Sequence, residues 1–213
     1  NGSSTAIPGA GNDYTITASP LSILAGATTA SITVTLNDDT LVEGNQTVIV
    51  DMGTPTNATA SGTVSHTVTI QDADSATVSF SSGASTKGED AGATTLLAVL
   101  STFDSGTAGT ATLENPATFS VSTTLGNTEA IDFSANVTSI TFPANSGDGT
   151  GPTTELIITP TPDLLVEGDE TATFTLAPTA GAATAGATDD HALTITDADS
   201  ATGPSAFEVA LNR

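Results

Sequence analysis

The chain carries the same pattern twice. Residues 31–43 read SITVTLNDDTLVE and residues 156–167 read LIITPTPDLLVE, and a glycine follows each. Next comes NQTVIVDM (45–52) in the first copy and DETATFTL (169–176) in the second, then HTVTIQDADSAT (66–77) and HALTITDADSAT (191–202). Glu43 and Glu167 lie 124 residues apart, and Asp72 and Asp197 lie 125 apart. Three matched blocks in the same order, 124 or 125 residues apart, mark an internal duplication. Two copies in 213 residues leave each about the size of a single β-sandwich, roughly 100 residues.

Within each copy the apolar residues recur with a period of two. Ile32, Val34 and Leu36 alternate with Ser and Thr, as do Val68 and Ile70, Phe174 and Leu176, and Leu193 and Ile195. Alternation of this kind makes one buried and one wet face of an antiparallel sheet. No segment shows a helical period, and clusters of Gly, Pro, Asn and Asp separate the runs. The expected fold is therefore all-β: two tandem Greek-key sandwiches of the immunoglobulin-like kind. Residues 1–75 form the first module and 76–200 the second. The second has strands before its shared blocks (77–80, 95–100 and 118–123), whereas only residues 1–12 precede Asp13. The first module is thus expected to lack its opening strands. The tail 201–213 includes one more alternating stretch, SAFEVALNR, which would start a further module or be a donated strand.

Charge narrows the partners. Lys87 and Arg213 are the only basic residues against 24 acidic ones, a net charge of −22. Phosphate backbones and anionic lipid need Lys and Arg for binding, so nucleic acid is excluded as a natural partner. A cation is the natural one, since unscreened carboxylates oppose compaction. There is no Cys, hence neither disulfide nor thiolate site, and no run of 18 apolar residues that would insert in a membrane. The Ser/Thr-rich, acidic, cysteine-free composition fits an extracellular or bacterial cell-surface setting, and the lack of an initiator Met suits an excised or mature piece.

The segments NDDTLVEGNQ (37–46) and PDLLVEGDE (162–170), each followed about 30 residues on by QDADS or TDADS, resemble the Calx-β family, as do the pairs Asp13-Tyr14 and Asp132-Phe133. That family comprises Ca²⁺-binding β-sandwich repeats found in sodium–calcium exchangers and bacterial surface proteins. The resemblance implies that Asp38, Asp39, Glu43, Asp72 and Asp74 line a Ca²⁺ cluster in the first copy, with Asp13 a further candidate. The matching set in the second is Asp163, Glu167, Asp197 and Asp199, with Asp132 and Glu89 as further candidates. Ca²⁺ takes six to eight oxygen ligands in flexible geometry, and loops gather at the ends of a sandwich. The competing reading is ordinary turn chemistry, in which Asp side chains bond nearby backbone N–H groups. Pro162 stands where the first copy has Asp38, so the second site is expected to be the weaker.

Nothing in the chain points to an enzyme. His66 and His191 fall in separate copies, neither has a nucleophile motif beside it, and edge or turn contacts are expected of both. With no Trp and one Tyr the chain lacks the aromatic platforms of a sugar-cleaving site. The expected function is a structural or adhesive Ca²⁺-binding repeat protein that partners neighbouring modules or itself, head to tail in filaments completed by strand donation. The alternatives are an adhesin module for a carbohydrate or other surface, and a non-catalytic domain of a large secreted enzyme.

Overall fold

The computed structural model describes residues 4–9, 12–128 and 132–199. The first copy contains β1 (Tyr14–Ile16), β2 (Val34–Leu36), β3 (Leu41–Val42), β4 (Gln46–Asp51) and β5 (Ser65–Ile70). The second opens with β6 (Ser75–Phe80), β7 (Ala84–Gly88), a 3₁₀ turn at Glu89–Ala91, β8 (Thr94–Leu96) and β9 (Ala98–Asp104). It continues with β10 (Thr107–Ala108), β11 (Thr112–Leu113), β12 (Ala117–Leu125), β13 (Phe133–Ala135), β14 (Ser139–Phe142) and β15 (Leu156–Pro160). It closes with β16 (Glu170–Ala180), β17 (Thr184–Ala185) and β18 (Asp190–Thr196).

The second copy is a β-sandwich. One sheet runs β14-β12-β16-β18-β7, and its other layer comprises β10-β9-β6-β17 and β13-β15-β8. Inward positions follow the period read from the sequence: Ala76, Val78 and Phe80 on β6, Phe119 and Val121 on β12, Ala172, Phe174 and Leu176 on β16, Leu193 and Ile195 on β18. Each alternates with Ser, Thr or another residue on the outer face, where a β-branched hydroxyl suits a wet pleat. Phe80, Phe119, Phe142 and Phe174 are buried, and Phe133 packs edge-on to Phe174 at 5.6 Å. Gly181 has φ +84° where a Cβ would stand 2.6 Å from the Pro116 carbonyl oxygen, so no other residue fits there.

The first copy repeats only part of this. β1 and β2 pair antiparallel, like β13 with β15, and β4 pairs with β5, like β16 with β18. In the second copy β8 flanks β15, β12 flanks β16 and β7 flanks β18. Among the described residues no strand takes those places in the first copy, although Thr5 and Ala6 donate to the Thr47 carbonyl along β4. Its core is correspondingly small, Ala6, Tyr14 and Val48 with Val34, Val50, Val68 and Ile70 half-covered. Ile32, Leu36 and Met52, on the apolar side of the alternation, are exposed. The equivalent histidines give the comparison in one residue. His191 is buried, edge-on to Phe80 at 5.5 Å, while His66 on β5 is exposed. The β6–β7 segment that encloses His191, its two strands in different sheets, has no counterpart over His66 among the described residues. The edge contact expected of His191 is therefore a core contact instead.

The two copies also share structure. β3 of the first pairs in parallel with β11 of the second, Leu41 beside Thr112 and Val42 beside Leu113. Val42, 2 % exposed, belongs to the core of the second copy. A division at residue 75 follows the duplication, but the packing crosses it.

Candidate metal centres

Each site grows from the loop that follows the strand before VEG. In the first copy Asp39 Oδ1 accepts the Leu41 N–H at 2.9 Å, a two-residue Asx turn that sets the loop's course. Gly44 then takes φ +78°, the left-handed region that favours glycine. The N–H groups of Glu43 and Gly44 both reach Asp72 Oδ2, at 2.8 and 2.7 Å. Asp72 Oδ1 in turn accepts the N–H of Asp74 at 2.8 Å. The second copy repeats this bond for bond. Asp163 accepts from Leu165 (2.7 Å), Gly168 has φ +87°, and Asp197 accepts from Glu167, Gly168 and Asp199 at 2.9, 3.0 and 2.7 Å. The three N–H groups hold the Asp197 carboxyl below its ordinary range. Turn chemistry and carboxylate clustering, rivals at the level of sequence, thus coexist: the Asp that opens each DxD pins the backbone, and the other carboxylates are gathered around it.

In the first copy all six candidates converge. Asp13, Asp38, Asp39, Glu43, Asp72 and Asp74 line one pocket of about 180 Å³ with Asn37 and Gln71, and none of its lining residues is basic. Carboxylate oxygens of Asp13, Asp39 and Glu43 lie within 4.8 Å of one another. Asp13 is buried and accepts the Ile7 N–H at 2.6 Å. Desolvation pushes the Glu43 carboxyl up to about 7, with Asp13, Glu114, Asp39 and Asp72 adding repulsion. Asp74 is raised too, by desolvation first and then by Asp104, Asp72 and Asp38, against the lowering effect of the Ser105 N–H. Glu114, Asp104 and Ser105 belong to the second copy. The pocket therefore sits at the junction of the two copies, within the field of both.

The second copy splits its acidic groups. Glu89, Asp197 and Asp199 form one cluster, with Glu89 Oε1 accepting the Ala198 N–H at 3.1 Å. Asp132, Glu167 and Glu170 form another. Asp163 stands outside both and caps its own loop. Glu170, on β16, was not among the expected ligands because it follows the VEG triplet on the strand. Its carboxyl is raised, by desolvation first and then by Asp132 and Glu167 against a hydrogen bond from Thr128. Its counterpart in the first copy is Gln46, whose Oε1 is buried with no hydrogen-bond donor among the described residues.

These donors suit Ca²⁺ rather than a softer metal. They are oxygens only, anionic, held partly on loops, with no thiol in the chain and both histidines elsewhere. The His191 ring is held in the core: Nδ1 donates to the Ser82 carbonyl at 2.6 Å, leaving Nε2 to accept from Ser85 Oγ at 2.7 Å. That Ser–His pair, invisible in the sequence because 106 residues separate its members, ties β18 to β7.

No family model matches the chain, and no curated protein does. Among solved structures it is similar to the apo form of the Calx CBD1 domain, at 19 % identity and TM-score 0.46, over 58 % of this chain and 98 % of that one. It is also similar to CBD12 from CALX1.2 (18 %, TM-score 0.44, 57 % and 44 % covered). The calcium-binding domain CBD12 of CALX1.1 follows at 17 %, TM-score 0.43, 56 % and 44 %. No described helix is long and apolar enough to cross a membrane.

Proposed function

We propose that the chain is a Ca²⁺-binding structural module in which the ion locks one sandwich to the next. The observation that carries this reading is the position of the first-copy pocket. Six carboxylates and no cationic side chain line it, and it lies where β3 meets β11 and Ser105 meets Asp74. Without a cation the carboxylates at this junction repel one another; with one, the same charges become a clamp. Asp13, Asp39 and Glu43 would hold the ion, Asp38 and Asp74 would complete its shell, and Asp72 would keep the loop in place. A ligand that binds only the folded state at 100 times its dissociation constant adds about 2.7 kcal/mol. Melting the chain in chelator and in millimolar Ca²⁺ tests the reading: a higher melting temperature in Ca²⁺ is expected, and superimposable curves overturn it.

An extracellular setting agrees with this, because loosely organised carboxylate sites in extracellular modules fill at millimolar Ca²⁺. A load-bearing or adhesive role is favoured over a catalytic one by His191, the histidine paired with a serine, being enclosed in the core. The bare edge of β5 and the exposed His66 support a partner that supplies a strand of the β7 kind, from a neighbouring module or from the tail of another copy. Residues 205–213, the segment expected to be donated, lie outside the described residues.

A further inference from the structure

The internal duplication poses one question twice, and the chain answers it once. In the first copy the loop between Asp39 and Gly44 is covered by the module that follows it. Thr112 N–H donates to the Thr40 carbonyl (2.9 Å) and Glu114 N–H to the Val42 carbonyl (3.3 Å), on either side of the β3–β11 pairing that seats Val42 in the next core. Nearby, the turn Ser105–Gly106, with φ of +46° and +86°, joins β9 to β10. It presents the Ser105 N–H to Asp74 Oδ1 at 2.9 Å.

The same loop of the second copy, fixed by the same Asx turn and the same Asp197 bonds, carries Leu164, Leu165 and Val166 at the places of Thr40, Leu41 and Val42. They are 89, 58 and 57 % exposed. Three consecutive large apolar side chains in water, on a backbone held rigid from within, are a contact surface rather than a loose loop. Asp199 stands where Asp74 does, and its Oδ2 is buried with no hydrogen-bond partner among the described residues. Both features that the first copy satisfies through its neighbour are left unsatisfied in the second.

We infer that Leu164–Val166 and Asp199 form a docking surface for a further β-sandwich module of the same kind. That module would lay a β11-type strand parallel to Leu165–Val166 and a β9–β10-type turn against Asp199. A free second copy of this chain is the poorer occupant, because its own β11 is already taken by its own β3. The occupant is a module placed next in line. The inference deepens the structural reading above and rests on it; Leu164–Val166 carry no metal ligand, whereas Asp199 also belongs to the Glu89–Asp197–Asp199 cluster, so the experiment is run with and without the ion.

The test uses the absence of native cysteine. The full chain carrying Val166→Cys is compared with the same chain extended after Thr202 by a repeat of residues 78–199, which continues the shared DADSAT register. Labelling of the single introduced thiol by a thiol reagent should be fast in the unextended chain. In the extended one it should slow by at least about tenfold, as expected when reaction requires opening of a packed contact. Val42→Cys, made separately in both chains, gives the rate of the docked state. Adding Leu165→Asp to the extended Val166→Cys chain should restore fast labelling. Equal rates for Val166→Cys in the two chains, with Val42→Cys slow and a cooperative melt in both, overturn the inference. Each rate is measured in Ca²⁺ and in chelator. Protection of the thiol in the extended Val166→Cys chain without any Ca²⁺ effect on melting would refute the metal reading and leave the docking surface standing.

Discussion

Replacing Glu43 by Gln should stabilise the metal-free protein and weaken its response to Ca²⁺. Desolvation and four neighbouring carboxylates push the Glu43 carboxyl from an ordinary 4.5 to about 7. A folded-state value above the unfolded one means that the folded chain holds the proton more tightly. Glu43 therefore costs nothing at low pH, opposes folding progressively as pH rises from about 4.5 to about 7, and opposes it fully above that. Each pKa unit is worth about 1.4 kcal/mol, so the unscreened limit is roughly 3 kcal/mol. The site is open to solvent on one side, and screening reduces the expected cost to roughly 1–2 kcal/mol. In a chain of this size 1 kcal/mol moves the melting temperature by about 2–4 °C. Glu43→Gln in chelator at about pH 8 should melt roughly 2–8 °C above the parent, and the gain should vanish toward pH 4.5. In saturating Ca²⁺ the order should reverse, because the variant has lost a ligand. Calorimetric melts of both proteins at the two pH values, each with chelator and with Ca²⁺, separate the proton effect from the metal effect. A variant less stable than the parent in chelator at the higher pH, or a gain independent of pH, would show that Glu43 is not held in a repulsive cluster.

The same shift makes Ca²⁺ and protons compete, so apparent Ca²⁺ affinity should fall as pH drops through about 7, which titrations one unit to either side will show. Asp72→Asn should destabilise the protein even in chelator, by about 1–3 kcal/mol, since its carboxylate satisfies three backbone N–H groups at the junction; urea unfolding measures it. His191→Ala should cost about 2–4 kcal/mol as a buried, twice-bonded ring is removed, whereas His66→Ala should be neutral within about 0.5 kcal/mol. If the tail donates a strand, deleting residues 205–213 should convert assemblies to monomers in sedimentation velocity, and unchanged assembly would remove the tail from the account.

The fold was legible where one face of a strand is covered. Phe174 and Leu176, or Leu193 and Ile195, alternate in sequence and are buried in the structure because a second layer faces them. Ile32 and Leu36 alternate just as well but stay exposed. Periodicity states which face would be buried, not whether anything lies over it. The metal candidates were legible as types and spacings: all six of the first copy meet in one pocket. Three things were not. Glu170 joins Asp132 and Glu167 in the second copy, brought in by the pleat of β16 rather than by the loop motif. The role of Asp72 and Asp197 as backbone pins required the left-handed glycine after each VEG glutamate, a property of φ rather than of composition. The passage of Val42 into the neighbouring core depends on a parallel two-residue pairing between segments 71 positions apart, with no local signal at either end.

A Ca²⁺ site at the acidic junction will be visible in isothermal titration of the intact chain with Ca²⁺. Runs near pH 7 in two buffers of different ionisation enthalpy should show saturable binding with net proton release, because Glu43 is partly protonated there before the ion arrives. Glu43→Gln should bind more weakly and release fewer protons. Heats no greater than dilution up to millimolar Ca²⁺, or identical isotherms for the parent and Glu43→Gln, would show that the junction holds no Ca²⁺.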